Sequence, residues 1–266
     1  MRLSQGQLNL LERCPRQFQH TYLDQLSSPS NPEQQERQTL GSRFHLLMQQ
    51  RELGLPIESL VQEDAQLQRW MTGFISAAPE ILTPTNSQAF RESEHCRTLK
   101  VQDYLLTVVY DLLIASKQQA QILDWKTYPK PLNRRRLEFN WQTLLYLYVL
   151  AETSDYLPEQ ISMTYWFVQS PDSPQSLKFA YTTAQHQQIR QKLNQLLSQL
   201  SNWLQRYQLG EPFPQVREGS DRCEHCQFAV RCERDGYAKD SVSSDRQQAI
   251  ATDLLPNLAN IQEVSL

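Results

Sequence analysis

Two aspartates and a lysine carry the most specific chemistry in this sequence. Asp111 interrupts the apolar run 105–114, and Asp124 and Lys126 lie in Ile122-Leu123-Asp124-Trp125-Lys126-Thr127. An acid inside such a strand needs a compensating partner, and a cation is one. Between the two runs, Ser116-Lys117-Gln118-Gln119 makes a tight hairpin centred between Lys117 and Gln118, and that centre sets the register. Asp111 then falls opposite Asp124, at a Cα separation of roughly 4.5 to 5.5 Å. Strand alternation turns Asp124 and Lys126 to one face, and Leu123 and Trp125 to the other. Paired carboxylates suit a hard Mg²⁺ or Mn²⁺, which activates water and neutralises a phosphodiester, while an ammonium stabilises the developing phosphorane. The plainer reading, surface acids bridged to Lys126, is common and contributes little stability. It gives no reason for acids within apolar strands.

A second set is sulfur. Cys223-x2-Cys226-x5-Cys232 puts three soft ligands in one loop, and Cys14, at the other end of the domain, offers a fourth. Four thiolates hold either a tetrahedral Zn²⁺ or an iron–sulfur cluster, and spacing alone does not choose. Cys96, between charged residues on a predicted strand, and His225 stay outside the set.

The elements that must position these groups follow from periodicity. Ser4 opens a helix through Leu8 and Leu11 that Pro15 stops near Cys14, and a short aromatic stretch, Phe18 to Tyr22, follows. The segment 27–36 is rich in Ser, Pro, Asn and Gln and reads as a loop. Phe44, Leu47 and Met48 give a helical face near His45, and another helix covers roughly 63–77. Three strands are expected between Ala89 and Lys126, with Glu92 or Glu94 able to join the acidic site from the first of them. A helix at 139–152, strands near 161–169 and 177–181, and a long helix carrying Ile189, Leu193, Leu196, Leu197 and Leu200 complete the pattern. This order predicts an α/β fold with a central mixed sheet flanked by helices.

Asp111 followed by Asp124-Trp125-Lys126 resembles the split acidic signature of the PD-(D/E)XK nuclease superfamily. Gly41-Ser42-Arg43-Phe44-His45 is similar to the GxxxH motif of its RecB-type members, and Gln142-Thr143-Leu144-Leu145-Tyr146 to their QxxxY motif. The resemblance implies a restriction-endonuclease-like fold, with His45, Asp111 and Asp124 as ligands to Mg²⁺ or Mn²⁺. It also implies that Lys126, Gln142 and Tyr146 belong to the catalytic group. One departure is that Val108, Val109 and Tyr110 stand where the family often has a glycine, which bears on substrate access. The distribution of cysteines resembles the 4Fe-4S staple of AddB-type and CRISPR-associated RecB-like nucleases. On that likeness Cys14, Cys223, Cys226 and Cys232 bind a structural cluster that ties together the ends of a 1–236 domain, with 237–266 as a polar tail.

Composition limits the alternatives. The 266-residue chain, 39% hydrophobic, supplies a proper core, and its longest apolar stretch, 144–151, is too short to span a bilayer. A soluble, cytoplasmic protein without membrane contact is expected. A net charge of −3 requires any DNA contact to be local, and Lys130, Arg134, Arg135 and Arg136 are the candidates. Tyr128, Phe139 and Trp141 are available for stacking on bases. No P-loop occurs, so any unwinding falls to a partner such as a helicase. The expected function is a metal-dependent deoxyribonuclease, exonuclease-like on single strands or ends, in DNA repair and recombination or CRISPR-type processing. The alternatives are a non-catalytic iron–sulfur DNA-binding or scaffold subunit and, last, a zinc-ribbon interaction module.

Overall fold

In a computed structural model of the chain, residues 1–27, 32–82, 89–131, 133–170 and 173–234 are described. The expected tail at 237–266 lies outside them. The chain opens with β1 (Arg2–Leu3), α1 (Gln5–Arg13) and α2 (Pro15–Phe18), which runs into one π-helical stretch, Gln19–Leu23. Four helices follow: α3 (Pro32–Glu52), α4 (Glu58–Gln62), α5 (Ala65–Ala77) and α6 (Pro79–Leu82). Then come β2 (Phe90–Val101), β3 (Tyr104–Ala115) and β4 (Ala120–Lys126), with α7 (Arg134–Glu138) and α8 (Trp141–Glu152) behind them. The order closes with β5 (Ile161–Phe167), β6 (Gln175–Ala180) and α9 (Thr183–Gln208).

The strands form one mixed sheet in the order β1-β3-β4-β5-β6, with β2 also paired to β3. β2, β3 and β4 are antiparallel neighbours, whereas β4 and β5 run parallel because α8 carries the chain back across the sheet. On one face α1, α8 and α9 pack Leu8, Leu145, Val149, Leu193 and Leu197 against Leu106, Ile122 and Met163 of the sheet. On the other face α3 and α5 bring Phe44, Leu47, Trp70 and Phe74 onto Leu123, Trp125 and Trp166. Leu123 and Trp125 thus face away from Ile122, as strand alternation requires. This is the expected mixed α/β architecture, a sheet between two helical layers. Among the described residues no helix is long and apolar enough to cross a membrane.

The hairpin register predicted from 116–119 holds: Ala115 pairs with Ala120 and Leu112 with Leu123. Three local features differ from expectation. Residues 32–36, read as loop, begin α3 instead, since Pro32 sits in the first turn, where a missing N–H costs nothing. β1 is only two residues long and pairs parallel with Leu105 and Leu106, too short to leave a periodic signal. The helix expected from 63 starts at Ala65, because the Asp64 carboxylate accepts from the N–H groups of Gln66 (2.9 Å) and Leu67 (3.2 Å) and caps it.

Candidate active site

The site forms where the pleat changes phase. Along β3, Tyr104, Leu106, Val108 and Tyr110 face the α8 layer, but Leu112 faces α3 and Leu113 the α8 layer again. Pairing of β2 with β3 includes Ser93–Leu112 and His95–Tyr110 and omits the rung between them, Glu94 with Asp111. Glu94 has φ of 52°, in the left-handed region, an uncommon conformation for a non-glycine residue in a strand. Pairing of β3 with β4 ends at Leu112–Leu123, so the next rung brings Asp111 level with Asp124 without extending the ladder. There the Trp125 N–H donates to Asp111 Oδ2 at 2.6 Å, which fixes the carboxylate at the fork.

Helix α3 supplies the facing wall. His45 Nδ1 lies 3.3 Å from Asp111 Oδ1. His45, Glu94 and Asp111 each present a ligand atom within 4.8 Å of the other two, a spread that a cation bonded at 2.0–2.6 Å to each can bridge. The mixed donor set, two carboxylates and an imidazole, fits a divalent metal of the Mn²⁺ or Mg²⁺ class. Glu94 therefore joins the site that sequence reasoning left open between Glu92 and Glu94. Its signal was the strand order alone, since the left-handed turn that aims it is not encoded in any recognisable spacing.

Gly41 is why α3 comes this close. One turn before His45 it packs on the end of β4, where a Cβ would sit 2.9 Å from Thr127 Oγ1. Gly41→Ala is expected to push the helix outward and cost roughly tenfold in kcat/KM, through misplacement of His45. Steady-state kinetics beside a thermal melt would show whether activity falls more than stability.

Asp124 and Lys126 face α8. Asp124 is 2% exposed; its Oδ1 lies 2.6 Å from Lys126 Nζ, and its Oδ2 accepts from Gln142 Nε2 at 2.7 Å. Gln142 Oε1 accepts from Lys126 Nζ at 2.9 Å. The amide thus serves both charges at once, donating to the acid and accepting from the ammonium. Its own position is set by Asn140, which caps α8 by accepting from the Gln142 N–H at 2.8 Å, and by Asn9 of α1, whose Nδ2 donates to Asn140 Oδ1 at 3.1 Å. Tyr146, one turn further along α8, is buried with its ring edge-on to Tyr110 at 5.2 Å. It forms part of the core beneath the site.

Burial alone would drive the proton off His45, but the charge and hydrogen bond of Asp111, with Asp124 beyond it, raise the imidazole to about 9. Asp111 is held below the ordinary carboxylate range: burial opposes this, and His45, Lys126 and the Trp125 N–H outweigh it. Without metal the pair is therefore charged at neutral pH. The pair contributes fully between the ordinary carboxylate range and the ordinary imidazole value of about 6.5; the contribution is lost as pH rises through about 9 and again in acid, as Asp111 protonates. A metal competes with that proton, so Mn²⁺ binding at pH 7 is expected to release close to one proton, falling towards zero above about 9. Calorimetry in buffers of different ionisation enthalpy measures this, and His45→Gln should abolish the release.

The other predicted residues lie apart from this centre. Lys130 is half-buried, and the arginines of α7 are exposed. Arg134 donates to the Lys178 carbonyl at 2.6 Å and covers Phe179, and Arg135 stacks over exposed Phe139. Cys14, at the junction of α1 and α2, lines one cavity with Cys223, Cys226 and Cys232. Around it Arg16 Nε donates to the Phe213 carbonyl at 2.6 Å and Arg222 to the Arg13 carbonyl at 2.7 Å, so the two ends of the domain meet. Burial, with the neighbouring thiols, pushes the Cys226 and Cys232 thiols up, although Arg16 opposes this at Cys232. Cys96 lies on β2 outside that cavity.

Comparison with known proteins adds three findings. No curated protein sequence matches the chain. A solved structure titled "Crystal structure of SSO0001" is similar at 12% identity over 87% of this chain and 85% of that one, with a TM-score of 0.38. The family model of the PD-(D/E)XK nuclease superfamily matches residues 2–233, which include β1, the split acids of β3 and β4, α8 and all four cavity cysteines. This chain belongs to the PD-(D/E)XK nuclease superfamily.

Proposed function

We propose that the protein is a metal-dependent deoxyribonuclease that removes nucleotides from single strands or DNA ends. The observation that carries this reading is the pairing of two groups at one fork of the sheet. A His45–Glu94–Asp111 donor set lies on the α3 side, and a buried Lys126–Asp124–Gln142 network on the α8 side. A bound Mg²⁺ or Mn²⁺ would supply Lewis-acid charge at the phosphodiester and at the attacking water. The chain's own residues do the remainder. His45, Glu94 and Asp111 would hold the cation; Asp124 and Gln142 fix the Lys126 ammonium, which would face the charge developing on the phosphorus oxygens. Because donor and acceptor are preset, little reorganisation accompanies the reaction.

Support for nucleic acid as substrate comes from family membership and from the exposed Arg134–Arg136 turn beside α8, with Phe139 57% exposed for stacking. The four cysteines at one cavity support the reading of a structural cluster. In a ZnS₄ site, Zn–S bonds of about 2.3 Å bring the sulfurs within about 3.8 Å of one another. Among the described residues no three cysteine sulfurs lie within 4.8 Å of one another, so the choice of 4Fe-4S over zinc rests on the resemblance of the cysteine distribution.

The test is digestion of linear and circular single-stranded DNA with Mn²⁺. The proposal predicts degradation of the linear strand and survival of the circle; equal cutting of both would replace the end-dependent reading with an endonuclease.

A further inference from the structure

Beside Asp111, on the face opposite Lys126, a cavity of about 120 Å³ lies between α3 and the sheet. Its floor is apolar, made by Met48, Leu112 and Trp125, and its polar edge carries Arg51 and Ser93. A dry cavity of about 150 Å³ accepts a benzene-sized ring, so one six-membered base suits this space and a base pair does not. Met48 and Glu52 follow His45 by three and seven residues along α3, which puts this wall of the cavity and His45 on one helix face, with Arg51 at its edge.

The charges around it are arranged unequally. Glu52 is neutralised by Arg91, whose guanidinium donates to both of its oxygens at 2.7 and 2.8 Å. Asp111 is occupied by His45 and the Trp125 N–H. Among the described residues the Arg51 guanidinium has no ion pair or hydrogen bond, although it lines the same cavity. It is therefore a half-exposed cation next to the candidate metal centre, above an apolar slot that ends in an indole.

We infer that this cavity is a subsite for one unpaired nucleotide flanking the scissile phosphate, its base seated on Met48, Leu112 and Trp125 and its phosphate met by Arg51. The inference rests on the nuclease reading of the neighbouring centre and sharpens its substrate to strands with a free base beside the cut. A base must leave its duplex to enter, so single strands and frayed ends are favoured over intact helix.

The experiment uses the full chain with Ca²⁺ in place of the catalytic cation and single-stranded oligothymidylates that carry one abasic position or one purine. An abasic residue should weaken binding by about tenfold at one position only, and a purine at that position should bind more weakly than thymine. Arg51→Ala should weaken binding about as much, with Arg51→Lys recovering most of it, and Mn²⁺ binding measured by calorimetry should stay unchanged in both variants. If abasic strands bind equally well at every position, or Arg51→Ala binds as wild type while Mn²⁺ binding and cleavage persist, the subsite is wrong and the nuclease reading stands. If the wild type neither binds Mn²⁺ nor cleaves, the nuclease reading fails and takes the subsite with it.

Discussion

Lys126→Ala is expected to lower kcat by roughly 10²- to 10³-fold, the loss typical when a preorganised charge facing the transition state is removed. Mn²⁺ affinity should change little, because Lys126 is outside the donor set formed by His45, Glu94 and Asp111. The same substitution leaves the Asp124 carboxylate, 2% exposed, without its cation. Stranding a buried charge costs roughly 3 kcal/mol or more, so a fall of about 5–10 °C in Tm should accompany the loss of activity. Lys126→Met with Asp124→Asn together should recover much of the stability and none of the activity. That separation distinguishes a positioned ammonium from a structural ion pair, since a purely structural pair would lose both or neither.

The second large effect is expected at the cysteine cavity. Under the proposed cluster, Cys14→Ser removes the one ligand from the N-terminal side, while Cys223, Cys226 and Cys232 remain on a single loop. A cross-link that closes roughly 200 residues is worth about 5 kcal/mol in the chain-entropy model. Loss of visible absorbance, a fall in Tm of about 10 °C or more, and faster proteolysis within 214–234 are therefore expected together. Cys96→Ser, on β2 outside the cavity, should change none of these. Retention of iron and sulfide in the Cys14→Ser protein would remove Cys14 from the ligand set.

The parts of this fold that were legible in the sequence are those governed by local rules. The 116–119 turn set the β3–β4 register, and alternation then assigned Leu123 and Trp125 to one layer and Asp124 and Lys126 to the other. What was not legible depends on contacts distant in the chain. β1 exists because Leu105 and Leu106 lie beyond the end of the β3–β4 ladder and leave an edge to be paired. Glu94 was one of two open choices, because its aim comes from a left-handed residue within a strand. Asp124 was expected among the metal ligands; without metal its oxygens face Lys126 and Gln142, and Glu94 stands as a further candidate donor beside His45 and Asp111. The buried setting of Tyr146 likewise follows from Tyr110, one of the three residues in the stretch where the family often has a glycine, whose ring packs beneath α8.

The measurement that bears most directly on a hydrolytic centre at this fork is the metal dependence of cleavage of a 5′-labelled single-stranded oligonucleotide by the wild type and by Asp111→Asn. Strand breakage by the wild type with Mg²⁺ or Mn²⁺, abolished by EDTA and lowered at least a hundredfold in Asp111→Asn, is the predicted result. Cleavage that persists undiminished in Asp111→Asn, or no metal-dependent cleavage by the wild type, would contradict it.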